Sequence, residues 1–232
     1  MNIPKFGEVG EDHLQLTCSG ENREIASGRL RCGNGAHRIG RSAFRFGAMP
    51  MNSRAATTIP SVRLVSPRAF HAKMWFAWRN EPRAQRFMPI ESWSVSALKR
   101  RLMASKPDLT DHDKQEHRWI VQWGAESVGI VSILRPVFRQ GYAEISYHLG
   151  ETHQGRGIGT ESVTQLVDHV FEQTEIARIF AFISVGNRAS RALAEKLGFV
   201  HEGTLRDHFI IRGRRVDQCV YGLLRKEWKR PR

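Results

Sequence analysis

Three alternating glycines, at positions 155, 157 and 159, stand between an apolar stretch and an amphipathic one. The apolar stretch runs from Ile145 to Leu149 and the amphipathic one from Val163 to Phe171. This order predicts a strand that passes into a helix through a loop with few side chains. Glycines let an anion reach the main chain, and the unpaired amides and the dipole at a helix start favour phosphate. The glycine loop is therefore a candidate phosphate site.

Two familiar phosphate-binding sequences do not fit this loop. A P-loop requires Gly-Lys-Ser or Gly-Lys-Thr after four spacer residues, and a dinucleotide fingerprint requires Gly-x-Gly-x-x-Gly. The loop reads Gln-Gly-Arg-Gly-Ile-Gly-Thr from Gln154 to Thr160, which matches neither pattern. A glycine-rich turn that only connects a strand to a helix is the alternative to a phosphate site.

The apolar periodicity of the rest of the chain predicts strands that alternate with helices before a closing hairpin. We expect the first helix to begin at Pro67 and to end before Pro82, and the last helix to begin after Asn187 and to end at Gly198. The expected strands are 62–65, 118–123, 128–134, 142–149, 178–185, 199–211 and 215–224. This α/β (α+β) pattern predicts a mixed sheet of about seven strands with helices on both faces.

Residues 1–58 show no sustained helix or strand period and are rich in Gly, Ser, Asn and Arg. Such a composition buries too little apolar surface to offset the entropy of ordering, so we expect a disordered basic extension before one domain over 59–232. A transit peptide fits poorly because Glu8 and Glu11 precede the arginine-rich part. A basic arm that contacts nucleic acid and a natural start at Met49 or Met51 are two further hypotheses.

The net charge of +13 favours partners that carry phosphate or acidic groups. Nucleic acid is one such partner, but no helix-turn-helix, zinc-finger or aromatic RNA-binding sequence accompanies the charge, so nucleic acid is not favoured. An anionic cofactor and an acidic acceptor would account for the charge equally well.

The number of cysteines and the hydropathy of the chain indicate the cellular compartment in which the protein is expected. Cys18, Cys32 and Cys219 are odd in number and form no Cys-x-x-Cys pair, which favours a reducing compartment over a disulfide framework. No apolar run approaches the roughly 18 residues of a membrane helix. We therefore expect a cytoplasmic protein without a membrane partner, either monomer or homodimer. No metal is expected, since His112 and His117 have no further ligands nearby and fit surface positions better.

The glycine loop has the form Gln/Arg-x-x-Gly-x-Gly/Ala, with Gln154, Gly157 and Gly159 at the defined positions. With this form the chain resembles the GNAT family of acyl-CoA-dependent N-acyltransferases. The stretch from Asn187 to Gly203, with its Asn-x-x-Ser and Gly-Phe, resembles the second cofactor segment of that family. Together with the ending Asp-Gln-Cys-Val-Tyr-Gly-Leu-Leu, it is similar to the branch that contains ribosomal-protein-alanine N-acetyltransferases. The resemblance covers roughly residues 60 to 229.

The resemblance implies a GNAT fold with a mostly antiparallel sheet, whose central strand splays away from the next one. It also implies acetyl-CoA as the co-substrate, with the pantetheine arm in the gap and near Asn187. The thioester carbonyl would be held by the backbone amide of His148 or Leu149. The pyrophosphate would contact the loop, whose members are Gln154, Gly155, Arg156, Gly157, Ile158, Gly159 and Thr160.

No single residue is an obvious catalytic base. Glu144 is the first candidate, because the similar branch often has Glu at this position of the central strand, on the same face as His148. A structural charge pair is the alternative role for Glu144. Asp207 and His208 are second candidates, the histidine because its pKa is already near neutral.

The sequence does not identify a single general acid either. Many GNAT enzymes use a tyrosine in the helix before Gly-Phe, and Ala194 stands at the matching position here. This departure favours Ser190 as the proton donor, or no dedicated donor.

The acceptor site of the resembling family is lined by the first helix and the segment after it. Trp78, Arg79 and Asn80 are therefore candidate acceptor-binding residues, with core packing as the alternative for the tryptophan. The implied reaction is direct transfer of an acetyl group to a primary amine in a ternary complex, and we expect a protein N-terminal amine.

Two other functions are alternatives to a protein acetyltransferase. One is acetylation of a small amine, such as a nucleotide-linked amino sugar or an aminoglycoside. The basic surface disfavours aminoglycosides and polyamines, because like charges repel. The other is a non-catalytic CoA- or RNA-binding module.

Overall fold

The computed structural model describes residues 60–105 and 107–231. The expectations for residues 1–58, including the alternative starts at Met49 and Met51, lie outside these ranges. Seven strands form one sheet in the order β1-β2-β3-β4-β5-β7-β6. The strands are β1 Val62–Val65, β2 Glu116–Trp123, β3 Glu126–Val137, β4 Tyr142–Leu149, β5 Arg178–Ser184, β6 Val200–Ile211 and β7 Arg214–Leu224. All neighbours are antiparallel except β4 and β5, so the predicted mixed, mostly antiparallel sheet is confirmed.

Helices cover both faces of the sheet, as predicted. They are α1 His71–Arg79, α2 Pro82–Phe87, α3 Val95–Ala104, α4 Ile158–Gln173 and α5 Arg188–Lys196. On one face α4 buries Val163, Leu166 and Val167 against the larger core. On the other face α1 and α3 pack over Ile120 and Ile130 in a second, smaller core. None of the helices within the described ranges is long and apolar enough to cross a membrane.

Helix α1 begins at His71 and not at the predicted Pro67. The N–H of Arg68 donates to Nδ1 of His71 over 2.8 Å, and this contact holds the preceding segment in a turn. Phe70, which we expected on the apolar face, is 57% exposed, whereas His71 is buried. Sequence periodicity could not show that a histidine would serve as a buried hydrogen-bond acceptor at this helix start.

Helix α2 was not predicted, because Pro82 was interpreted only as the residue that ends α1. The proline occupies the first turn of α2, where its missing N–H costs nothing and its fixed φ suits a helix. The short helix carries the chain from α1 toward β5, where the carbonyl of Phe87 accepts a hydrogen bond of 2.7 Å from the Ser184 hydroxyl.

His117 corrects another expectation, because it is fully buried and not on the surface. It lies on β2, with its ring 6.3 Å from that of Phe138, while the ring of His112 stacks on the same phenylalanine at 4.1 Å. In the part of the chain that the structure describes, no group of three potential metal ligands occurs.

Candidate active site

Strands β4 and β5 pair only at their first residues. Their parallel register runs from Tyr142 opposite Arg178 to Glu144 opposite Phe180 and ends there within the described residues. Both strands continue, β4 to Leu149 and β5 to Ser184. The strands therefore separate toward the glycine loop, which confirms the expected splay and opens a gap in the middle of the sheet.

The backbone of β4 presents Leu149 to this gap. The N–H of Gly150 donates to the Val128 carbonyl of β3 over 2.9 Å. Since successive amides of a strand point to opposite sides, the N–H groups of Tyr147 and Leu149 point away from β3 and toward β5. Of the two residues expected to hold a carbonyl, this alternation favours Leu149 over His148.

The glycine loop has the geometry of an anion site. Gly157 is the N-cap of α4 and adopts φ +80°, a left-handed conformation that favours glycine. The amides of Ile158, Gly159 and Thr160 begin the helix and have no partner four residues earlier within it. A Cβ built on Gly155 or Gly157 would meet open space, so an anion can approach the main chain there.

Other loop residues hold the loop in place. A Cβ on Gly159 would lie 3.1 Å from Cδ1 of Leu193, so this glycine lets α4 and α5 pack closely. The side-chain amide of Gln154 donates to the Leu149 carbonyl over 2.9 Å and ties the loop to the end of β4. The guanidinium of Arg156 lies 5.3 Å from the ring centroid of Trp123, which keeps a positive charge beside the loop.

A pair of hydroxyl groups joins β4 to α5. The Tyr147 hydroxyl lies 2.8 Å from Oγ of Ser190 and donates to the Ser190 carbonyl at 3.2 Å. The Asn187 side chain accepts from the Ser190 N–H at 3.3 Å and so caps α5, as predicted. Burial raises the pKa of Tyr147 to about 12 against the opposing hydrogen bond with Ser190, so the phenol keeps its proton. Tyr147 was not predicted from the sequence, because a tyrosine was expected only in the helix before Gly198.

Glu144 lies at the closed end of the gap, opposite Phe180, where β4 and β5 are still paired. It is 8% exposed, and its carboxylate forms an ion pair with Arg135. The structural alternative considered for Glu144, a charge pair, is therefore present.

A second carboxylate lies at the open end of β4. Oε2 of Glu81 is 3.8 Å from Nε2 of His148. Burial lowers the pKa of His148 to about 4, assisted by the charge of Arg79 and opposed by a hydrogen bond to the Trp78 backbone. Burial also raises the pKa of Glu81 above its ordinary value. The pair is thus a neutral imidazole beside a carboxylate that takes up a proton more readily than usual.

Two hydrogen bonds tie the segment that carries Glu81 to the turn after β4. Oε2 of Glu81 accepts from the Glu151 N–H at 3.0 Å, and Oε1 of Glu151 accepts from the Arg83 N–H at 2.6 Å. The start of α2 is thereby tied to the turn that follows β4. The sequence did not predict this arrangement, because the bonded residues are about 70 positions apart in the chain.

The three residues expected at the acceptor site differ in their surroundings. Trp78 is 8% exposed and packs in the smaller core. The side chain of Asn80 donates to the Phe76 carbonyl over 2.7 Å at the end of α1. Arg79 is half-buried, and its charge acts on His148 and therefore reaches the end of β4.

Asp207 and His208 lie on β6, beyond β7 from β5. Asp207 adopts φ +52°, and its N–H donates to Oδ1 of Asp217 over 2.9 Å. The His208 ring lies 5.0 Å from that of Phe182. No hydrogen bond within the described residues joins Asp207 or His208 to Glu144 or Ser190. The structure therefore does not bring the predicted catalytic residues into one contact network.

His148 provides a pH-dependent prediction. Between pH 6.5 and about 4 the unfolded chain binds a proton at this histidine and the folded chain does not, so the free energy of unfolding falls as the pH drops. This loss amounts to about 3 kcal/mol, and the raised pKa of Glu81 acts in the opposite direction. In His148→Gln, denaturant unfolding should depend less on pH in this window. Equal pH dependence in both proteins would contradict the assignment.

The sequence model of the acetyltransferase (GNAT) domain matches residues 61–200. Among curated proteins, the chain is 38% identical over 87 residues to YdaF of Bacillus subtilis, which is provisionally named a ribosomal N-acetyltransferase. It is 29% identical over 107 residues to the spermidine N(1)-acetyltransferase of Vibrio cholerae. These matches cover 38% and 46% of this chain and 48% and 62% of the relatives, so the chain spans about half of their length.

Among solved structures, the chain is similar to RimL, a ribosomal L7/L12 alpha-N-protein acetyltransferase solved with coenzyme A. The TM-score is 0.62 at 21% sequence identity, and the match covers 72% of this chain and 95% of RimL. At this identity the likeness establishes a shared fold.

Proposed function

The chain belongs to the GNAT acetyltransferase family, and on this premise we propose that it transfers the acetyl group of acetyl-CoA to the N-terminal amine of a protein. The observation that carries the proposal is the gap between β4 and β5, which opens onto the anion-binding geometry of the glycine loop. A cofactor with a pyrophosphate at one end and a narrow arm at the other fits this combination.

The glycine loop would bind the pyrophosphate. Free amides at the start of α4 would donate to its oxygens, and the open space beside Gly155 and Gly157 would admit it. Arg156 would add charge from its place over Trp123. Gln154 would keep the loop fixed to β4 so that the amides need no reorganisation on binding.

The reacting carbonyl would meet the Leu149 amide. Negative charge develops on the thioester oxygen during attack, and a fixed N–H at that point stabilises it. The Leu149 carbonyl is occupied by Gln154, which holds the backbone of this residue in one orientation.

Glu81 is the base that we propose for the acceptor amine. It lies at the open end of the gap, its pKa is raised, and its side chain is 25% exposed. A carboxylate with a raised pKa is a better proton acceptor than an ordinary one. His148 stays neutral beside it and so does not stabilise the ionised carboxylate.

The hydroxyl pair of Tyr147 and Ser190 would stabilise the leaving thiolate. The thiolate is a weaker base than a phenolate whose pKa is near 12, so the pair donates a hydrogen bond without giving up its proton. We predict that Tyr147→Phe and Ser190→Ala each lower kcat about 10-fold, the value of one hydrogen bond to a charged group.

Because the two hydroxyls act together, the double variant should lose little more than either single variant. Steady-state kinetics at saturating acetyl-CoA measures this effect. Independent, multiplying losses would show that the hydroxyls do not act as a unit.

The acceptor class is tested with the full chain, radiolabelled acetyl-CoA and a cell extract, used with and without desalting. Label in acid-precipitable protein is the expected result. Label only in small molecules, lost on desalting, would reassign the activity to a small amine. No transfer, together with RNA binding that weakens steeply with salt, would indicate a binding module instead.

A further inference from the structure

Three arginines from separate elements converge on the face of the sheet that carries His148. Arg79 ends α1, Arg101 lies on α3 and Arg118 lies on β2. The guanidinium carbons of Arg79 and Arg118 lie 5.8 and 5.0 Å from the ring centroid of Trp75. Those of Arg79 and Arg101 lie 5.8 and 4.3 Å from the ring of Trp93. We call these three residues the arginine cluster.

The arginine cluster carries more positive charge than its neighbours neutralise. Glu116 forms ion pairs with both Arg101 and Arg118. Burial raises the pKa of Glu116, but the hydrogen bonds and charges of the two arginines outweigh it and lower that pKa to about 2. Arg79 donates to the backbone carbonyl of Glu91 at 3.2 Å, and the Glu91 carboxylate accepts from Trp93 at 2.6 Å. Three guanidiniums therefore share two carboxylates.

Burial makes this excess charge costly. The Arg118 side chain is 4% exposed, and its Nε–H has no acceptor among the described residues. Arg79 is half-buried, and burial and the charges of Arg101 and Arg118 all lower its pKa. Concentrated, partly desolvated guanidiniums are the groups that proteins use to bind carboxylates and phosphates.

A shallow, open depression in the surface is lined by Arg101, so an anion can reach this member of the arginine cluster. Its volume is about 550 Å³. Its lining residues are Ser92, Trp93, Ser94, Ala97, Arg100 and Arg101. Arg100 is exposed and adds a fourth positive charge at the rim.

The sheet register sets the distance from the arginine cluster to the reaction centre. Arg118 lies opposite Ser132, and Ser132 lies opposite Ser146, so all three residues share one face. Two strand spacings separate Arg118 from Ser146, and His148 lies two residues further along β4 on the same face, so Arg118 and His148 are about 12 Å apart. An extended peptide advances about 3.4 Å per residue, so about three to four residues span this distance.

We propose that the arginine cluster binds an acidic side chain of the protein acceptor, about three residues after the N-terminal amine. This inference rests on the proposed function, because it takes the amine to lie at the end of β4. The span favours a peptide over a compact phosphorylated amine. Loss of the hydrogen bonds between this acidic side chain and the arginine cluster should raise KM about 10- to 100-fold.

The test uses the full chain, acetyl-CoA and peptides that begin with alanine and differ only at positions three and four. These positions carry Asp, the isosteric Asn, or Lys. The wild-type protein should acetylate the Asp peptide with a KM about 10-fold or more below that for the Asn peptide. This difference should disappear in Arg101→Gln and in Arg79→Gln. It should persist in Arg139→Gln, which removes an exposed arginine outside the arginine cluster.

Three outcomes would contradict the proposed subsite. Equal KM values for the Asp and Asn peptides in the wild-type protein would overturn the subsite and leave the proposed function intact. A preference that survives in Arg101→Gln would also overturn it. Arg101-dependent acetylation of glucosamine 6-phosphate, but not of glucosamine or the peptides, would reassign the anion to a small phosphorylated acceptor.

If no peptide is acetylated, the proposed function is refuted. The arginine cluster can then still be tested as a binding site for acidic peptides. Fluorescence anisotropy of labelled Asp and Asn peptides, with CoA present, would still show the difference in wild-type protein and its loss in Arg101→Gln. Equal binding of both peptides would then refute the subsite as well.

Discussion

Replacing Gly157 with valine is expected to weaken acetyl-CoA binding about 100-fold or more. A side chain here would fill the open space in front of the α4 amides, because its Cβ meets no protein atom within 4 Å. The pyrophosphate would lose at least two hydrogen bonds to charged oxygens, each worth about 1.5 to 3 kcal/mol. Isothermal titration of the full chain with acetyl-CoA measures the loss.

Backbone strain must be separated from this blocking effect. Gly157 has φ +80°, so valine is strained there whatever it blocks. Gly213, in the turn between β6 and β7, has φ +75° and equally open surroundings, far along the chain from the loop. Gly213→Val should therefore lose similar stability and keep its affinity for acetyl-CoA. Unchanged affinity in Gly157→Val would remove the glycine loop from the cofactor site.

Glu81→Gln is expected to lower kcat about 100-fold, the usual contribution of a positioned general base. Glutamine keeps an oxygen that can accept from the Glu151 N–H, so the link between α2 and β4 survives. Affinity for acetyl-CoA should not change. The acid limb of the profile of kcat/KM against pH, set by the raised pKa of Glu81, should disappear in the variant.

Glu144→Gln is the matched comparison, since both carboxylates were considered for the same role. Glu144 is paired with Arg135 at the closed end of the gap, so we expect its kcat to change no more than about 3-fold. A large loss in Glu144→Gln with none in Glu81→Gln would reverse the assignment and restore the interpretation drawn from the sequence.

Local patterns made much of the fold predictable. Gly157 marks the start of α4, because the left-handed backbone at this position favours glycine. Asn187 and Gly198 mark the two ends of α5. These signals depend on neighbours a few residues away. Apolar runs and alternating apolar residues, bounded by turn residues, likewise predicted the seven strands.

The site residues that were not predicted from the sequence make contacts with residues far away in the chain. Tyr147 meets Ser190 across 43 residues, and Glu81 meets Glu151 across 70. Nothing in the sequence around Glu81 marks it as partly buried beside a histidine. The role of Arg118 was equally hidden, since a strand pattern gives no sign that an arginine will share the indole of Trp75 with Arg79. Only the packing of α1, α2, α3 and α5 on the sheet brings these groups together.

A crystal structure of the full chain with CoA tests the central claim most directly. We predict that the pyrophosphate binds the amides from Gly155 to Thr160, with the pantetheine arm between β4 and β5 and its sulfur near Ser190. A pyrophosphate bound at the arginine cluster, or an arm that lies outside the gap, would contradict this claim.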